Sequence, residues 1–174
     1  MHRRTILTTT AALIPAAASL RPSDVFAQQK TPKDQMVGSW EFVSVANTLP
    51  DGSKAQPFGA SPAGLLMFGS DGRYVSLVVN RDIPKFASNS REKGTPEENK
   101  AAVHGGIAHF GTYSVAEADG ALIFNIERST YPNWNGTQQK RPFTLTGDQL
   151  KYTVTTPSTG VGVAEVVLRR AKVT

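Results

Sequence analysis

The sequence predicts an all-β fold, eight antiparallel strands joined as an up-and-down barrel, and three observations point there. Short apolar or alternating runs recur from residue 37 to residue 170, the pattern of a sandwich or barrel. Asp71-Gly72, Asp119-Gly120 and Gly147-Asp148 stand between neighbouring runs, and such pairs tolerate the positive φ of a tight hairpin. A single segment carries helix-start chemistry, so helices play a minor part. Eight strands is the count at which such a barrel closes around one small ligand. Closure also removes exposed sheet edges. A two-sheet sandwich would use the same strands, and the sequence leaves that alternative open.

Residues 1–27 read as an export signal to be set aside before fold reasoning. Arg3-Arg4 give a positive start, residues 6–20 an Ala- and Thr-rich apolar run, and Val25-Phe26-Ala27 a small residue before the expected cleavage. The run is shorter than the roughly 20 apolar residues of a membrane span, and Pro15 and Arg21 argue against a retained anchor. The order Arg3-Arg4-Thr5-Ile6-Leu7 resembles a bacterial twin-arginine signal, with the ordinary secretory route as the alternative. The expected location is therefore periplasmic or secreted. Residues 28–36 are polar and expected to be a flexible lead-in.

The barrel domain is expected over 37–171, with strands at 37–46, 64–68, 73–79, 108–116, 121–128, 140–146, 149–155 and 162–170. One short helix interrupts them. Thr95-Pro96-Glu97-Glu98 supplies an N-cap, a proline at the first helical position and a capping-box glutamate, and Gly105-Gly106 ends the helix. It is expected across or beside one barrel mouth. The preceding loop, 80–94, is long and charged, and reads equally as a lid or a solvated connector.

With residues 1–27 set aside, 16 basic residues face 13 acidic ones, a net charge of +3. Lys and Arg are scattered, so no nucleic-acid footprint is present. The chain has no cysteine, which excludes thiol catalysis, disulfide exchange and thiolate metal sites. His104 and His109, the only histidines after residue 27, are five apart across a helix end, which is not a metal-ligand spacing. No phosphate loop, nucleophile elbow or paired-carboxylate pattern appears. No metal and no cofactor is expected.

Val37-Gly38-Ser39-Trp40 opens the first strand, and Arg169-Arg170 end the last. A Gly-x-Trp in that position resembles the lipocalin signature. The resemblance implies that Trp40 plugs one barrel end and stacks on an arginine from the final strand, which makes Gly38, Trp40, Arg169 and Arg170 structural residues. A closer resemblance, to a lipocalin-like domain family of bacterial and fungal proteins, rests on further segments. These are Pro57-Phe58-Gly59, Ser61-Pro62-Ala63-Gly64-Leu65-Leu66, Ser70-Asp71-Gly72-Arg73-Tyr74, Lys85-Phe86-Ala87-Ser88 and Gly94-Thr95-Pro96-Glu97-Glu98. His109-Phe110-Gly111-Thr112-Tyr113 and Tyr131-Pro132-Asn133-Trp134-Asn135-Gly136 complete the set. The resemblance implies a fold and a pocket without a settled activity, and export is not general to the family.

The residues expected to line that pocket are Tyr74, His109, Tyr113, Phe124, Glu127, Trp134 and Arg141. His109 reads as a pocket hydrogen-bonder, an acid–base group or a structural histidine of the barrel wall. Alternation puts Asn125 and Glu127 opposite Leu122, Phe124 and Ile126, leaving open which set faces inward. Trp134 reads as a ligand wall or a core cap. Arg141 shares a face with Phe143 and Leu145, as the anchor of a carboxylate ligand or the partner of Glu127. Asn135-Gly136-Thr137 fits a glycosylation pattern, with no modification expected in an exported bacterial protein.

The leading expectation is a binding module holding a small hydrophobic or amphipathic ligand. The alternative is an enzyme, an isomerase, cyclase or hydrolase, with His109, Tyr113 and Glu127 as proton carriers. A third reading is an interaction protein with a filled barrel. Neither nucleic acid nor a membrane span after signal removal is expected, and both monomer and dimer stay open.

Overall fold

The computed structural model describes residues 30–172, so the expected export signal at 1–27 lies outside the described residues. Nine strands form one antiparallel sheet: β1 (Gly38–Thr48), β2 (Lys54–Ala55), β3 (Ala63–Phe68), β4 (Arg73–Val79), β5 (Gly106–Ala116), β6 (Ala121–Ser129), β7 (Gln138–Thr146), β8 (Gln149–Val154) and β9 (Val163–Arg170). Leaving aside β2, each strand pairs with its sequence neighbour, and β1 pairs with β9 from Trp40↔Arg170 to Thr48↔Val163. That last ladder closes an eight-stranded barrel and rules out the open sandwich. The two-residue β2 is an addition, paired with the end of β1 through Asn47↔Ala55 and Thr48↔Lys54.

Period-two alternation builds the interior. Tyr74, Ser76 and Val78 of β4, Leu122, Phe124 and Ile126 of β6, and Ala164, Val166 and Leu168 of β9 are all buried. On β1 the parity changes. Trp40 and Phe42 are buried, then a bulge between Phe42 and Ser44 turns Val43 outward and brings Val45 and Asn47 inside. Gly111, at a second register shift between β5 and β6, answers a close approach: a Cβ there would lie 2.0 Å from the Asn125 carbonyl oxygen.

The hairpin turns at 69–72, 117–120 and 147–148 lie at one end of the barrel, together with the start of β1. The connections 49–62, 80–105, 130–137 and 155–162 lie at the other. The first end is shut. The expected flexible lead-in is corrected here, because Pro32–Met36 form a short helix, α1. Thr31 Oγ1 accepts from the Asp34 backbone N–H, and Asp34 accepts from the Thr31 N–H, a full capping box with proline at the first position. Met36 is fully buried, and its carbonyl accepts the Trp40 indole N–H at 2.8 Å.

Arg170 finishes the floor. Its guanidinium lies 4.2 Å from the Trp40 ring centroid and donates to the carbonyls of Val37 and Gln35. Gly38 is required beside it. Its φ is +124°, and a Cβ would stand 3.3 Å from Arg170 Nη1. Of the two terminal arginines expected to be structural at this end, Arg170 alone stacks on Trp40. Leu168 points inward, so alternation turns Arg169 out, where it meets Glu41 at 3.0 Å on the surface.

At the opposite end, α2 (Pro96–His104) starts from the Thr95/Glu98 capping box and flanks the mouth rather than sealing it. No helix among the described residues is long and apolar enough to cross a membrane.

Candidate functional site

Above the floor, the core is a column of aromatic rings. Tyr113 packs 4.6 Å from Phe68 and donates its hydroxyl to the Gly69 carbonyl at 3.0 Å, deep in the closed end. Phe124 comes next, 4.7 Å from Tyr74 with the rings edge to face. The Tyr74 hydroxyl meets His109 Nδ1 at 2.9 Å. This pair is the upper limit of the packed core.

Over it lies a small cavity of about 50 Å³, open toward the loop end. Six barrel strands contribute to the wall. Phe42, Val45 and Asn47 come from β1, Ser76 and Val78 from β4, Ile107 and His109 from β5, Arg141 from β7, Tyr152 and Val154 from β8, and Ala164 and Val166 from β9. Pro57, Phe58, Trp134 and residues 157–159 cover the mouth. A larger vestibule shares Pro57, Phe58, Ile107, Ser158 and Thr159 with the cavity and reaches Val103 and His104 of α2. Of the loop 80–94, no residue lines either space.

Arg141 dominates the electrostatics. It is 2% exposed, with its Cζ 4.5 Å from the Phe124 centroid, 5.2 Å from Tyr152 and 5.6 Å from Trp134. Its Nε and Nη2 both donate to Gln139 Oε1, at 3.2 and 2.7 Å. Burial and the Arg141 charge together push the His109 pKa down to about 3, so the imidazole is neutral. Burial raises the hydroxyl pKa of Tyr74 and Tyr152, keeping both protonated. Asn47 donates to Thr159 Oγ1 at 2.8 Å, while its Oδ1 is the one buried side-chain polar atom without a partner among the described residues.

Of the seven residues expected to line the pocket, His109, Trp134 and Arg141 reach its wall. Tyr74 and Phe124 support it from below. Tyr113 belongs to the closed end. Glu127 is a correction: Ile126 is buried, so Glu127 faces out and pairs with Arg73 at 3.0 Å, both about half exposed. The Arg141–Glu127 pair therefore does not form, and His109, Tyr113 and Glu127 do not converge. Asn125 is outward too, accepting from Gln138 Nε2 at 2.8 Å. Asn47, Ser76 and Tyr152 were missed. Ser76 and Tyr152 alternate with Val78 and Leu150 and were readable from that; Asn47 was concealed by the bulge.

Comparison with known proteins agrees with this geometry. A family model described as a lipocalin-like domain matches residues 37–171. A protein of Aspergillus oryzae named a 4'-hydroxy-3'-methoxypropiophenone carrier protein is 28% identical over 94 residues, covering 51% of this chain and 85% of that protein.

Proposed function

The chain belongs to the lipocalin-like domain family, and from that premise we propose that it is a carrier whose barrel holds one small, partly apolar molecule. The carrying observation is the cavity itself. It is walled by six strands, closed below by the Tyr74–His109 layer and the Trp40–Arg170 floor, and reached only from the loop end. An apolar chamber with a few convergent polar groups is the usual form of a small-molecule site. The Aspergillus relative, whose name makes it a carrier of an aromatic ketone, supports a guest with a ring. We further propose that the carrier acts outside the cytoplasm, a reading supported by Arg3-Arg4, the apolar run of residues 6–20 and the small residue Ala27.

The test is native mass spectrometry of protein purified from its own host, followed by fluorescence titration with the compound found. Trp134, at the mouth, is the expected reporter. An Ala164→Leu variant, which fills the cavity from β9, is expected to keep the fold and lose saturable quenching. Absence of any carried compound refutes the carrier reading, as do identical titrations of the two proteins with a compound that is found.

A further inference from the structure

We propose that the guest is an aromatic carboxylic acid, its carboxylate seated on the free edge of Arg141 and a hydroxyl donated to Asn47 Oδ1. This deepens the carrier reading and rests on it.

Four ion pairs occur among the described residues: Arg73–Glu127, Lys140–Asp119, Arg169–Glu41 and Arg170–Asp148. None includes Arg141, the cation most withdrawn from water. A guanidinium taken out of solvent ordinarily faces a carboxylate, because an uncompensated charge is expensive to bury. Here the chain supplies a neutral amide oxygen, three aromatic rings and the neighbouring Tyr152 hydroxyl, and no anion. Gln139 occupies the Nε–Nη2 edge. Beyond Gln139, the Nη1–Nη2 edge has only the nearby Tyr152 hydroxyl as a polar neighbour among the described residues, and Arg141 lines the cavity. Two parallel N–H groups on such an edge match the two oxygens of a carboxylate. His109, the nearest other titratable group with a positive form, is held neutral, so the chamber carries a single positive charge.

Asn47 is an independent observation. It is buried, its amide N–H₂ is engaged by Thr159, its oxygen is without a partner among the described residues, and the residue borders the same chamber. That oxygen accepts only from a donor, such as a hydroxyl. Trp134, Tyr152, Phe42 and Phe58 border the remaining space and favour a flat ring.

The experiment titrates the purified protein by calorimetry with 3-hydroxybenzoate, 4-hydroxybenzoate, benzoate, 4-hydroxybenzamide, 4-nitrophenolate and neutral 4-hydroxyacetophenone. At least one hydroxybenzoate is expected to bind about tenfold or more tighter than the benzamide, and also tighter than benzoate. Arg141→Met is expected to bring the acid-to-amide ratio near one while 4-hydroxyacetophenone still binds. Should that variant fail to fold, the wild-type ratio decides alone. Equal affinity for acid and amide, with the ketone saturating normally, overturns the anion site and leaves the carrier reading standing. Tightest binding of 4-nitrophenolate overturns the carboxylate in favour of a phenolate. Benzoate equal to both hydroxybenzoates overturns the Asn47 contact. No saturation by any probe up to about 1 mM removes the carrier reading and this inference together.

Discussion

Two adjacent arginines end the last strand, and truncating them should have very different costs. In Arg170→Ala four interactions disappear. The guanidinium–indole stack at 4.2 Å, against a fully buried Trp40, contributes about 1 kcal/mol of the 0.5–2 kcal/mol range, since Arg170 is about one-third exposed. The bonds to the Val37 and Gln35 carbonyls contribute about 1 kcal/mol each after the same discount. The pair with the exposed Asp148 at 3.4 Å adds little. The expected loss is about 3 kcal/mol, or a Tm lower by about 10 °C for a domain of this size. Arg169→Ala removes only the exposed pair with Glu41 and should cost under about 0.5 kcal/mol. Arg170→Lys should fall between, because an ammonium cannot stack and fork at once. Urea unfolding followed by circular dichroism measures all three, with an unchanged m-value as the check on comparability. Similar losses at 169 and 170, or an Arg170→Ala loss below about 1 kcal/mol, would refute the floor as described.

Further expectations follow from the same contacts. Gly38→Ala puts a side chain at φ +124° against Arg170 and should cost about 1–3 kcal/mol in the same urea assay. Glu127→Gln should leave ligand titrations unchanged and stability within about 0.5 kcal/mol, since its partner Arg73 is on the outer surface; a loss of binding would return Glu127 to the pocket. His109 has a folded pKa of about 3 against 6.5 when unfolded. Below 6.5 the unfolded chain therefore takes up a proton that the barrel refuses. Stability should fall as pH drops toward 3, by up to about 1.4 kcal/mol per pH unit, with no contribution above 6.5. His109→Gln should flatten that decline, by about 2 kcal/mol near pH 5; parallel pH profiles would contradict a buried neutral imidazole.

Much of this architecture was legible because one periodicity governs it. Ala164, Val166 and Leu168 alternate inward and, continued, select Arg170 over Arg169 for the floor. Leu122, Phe124 and Ile126 likewise turn Glu127 outward, a choice that apolar burial decides more firmly than any hope of an acidic pocket. The start of α1 carried the same threonine–proline–acid signal that marked α2, and only its polar composition suggested a loose segment. What could not be read depends on local geometry. The bulge at Val43 shifts Asn47 from the expected outer parity to the inner one, and a single inserted residue leaves no distinctive mark in the chain. That Arg141 faces a neutral amide instead of a carboxylate is a property of three-dimensional proximity between strands, beyond any spacing rule.

The sealed floor also sets the traffic of this vessel. With α1, Trp40 and Arg170 stitched across one end, a guest on the carrier reading departs by the mouth through which it arrived, bordered by Phe58, Trp134 and residues 157–159. A newcomer cannot push an occupant out from behind. Each exchange is thus two separate events, vacating and then reloading, and raising the competitor's concentration leaves the off-rate untouched. On the carrier reading the residence time belongs to the three loops at the rim, and tuning them would change how long cargo stays without redrawing the chamber that chooses it.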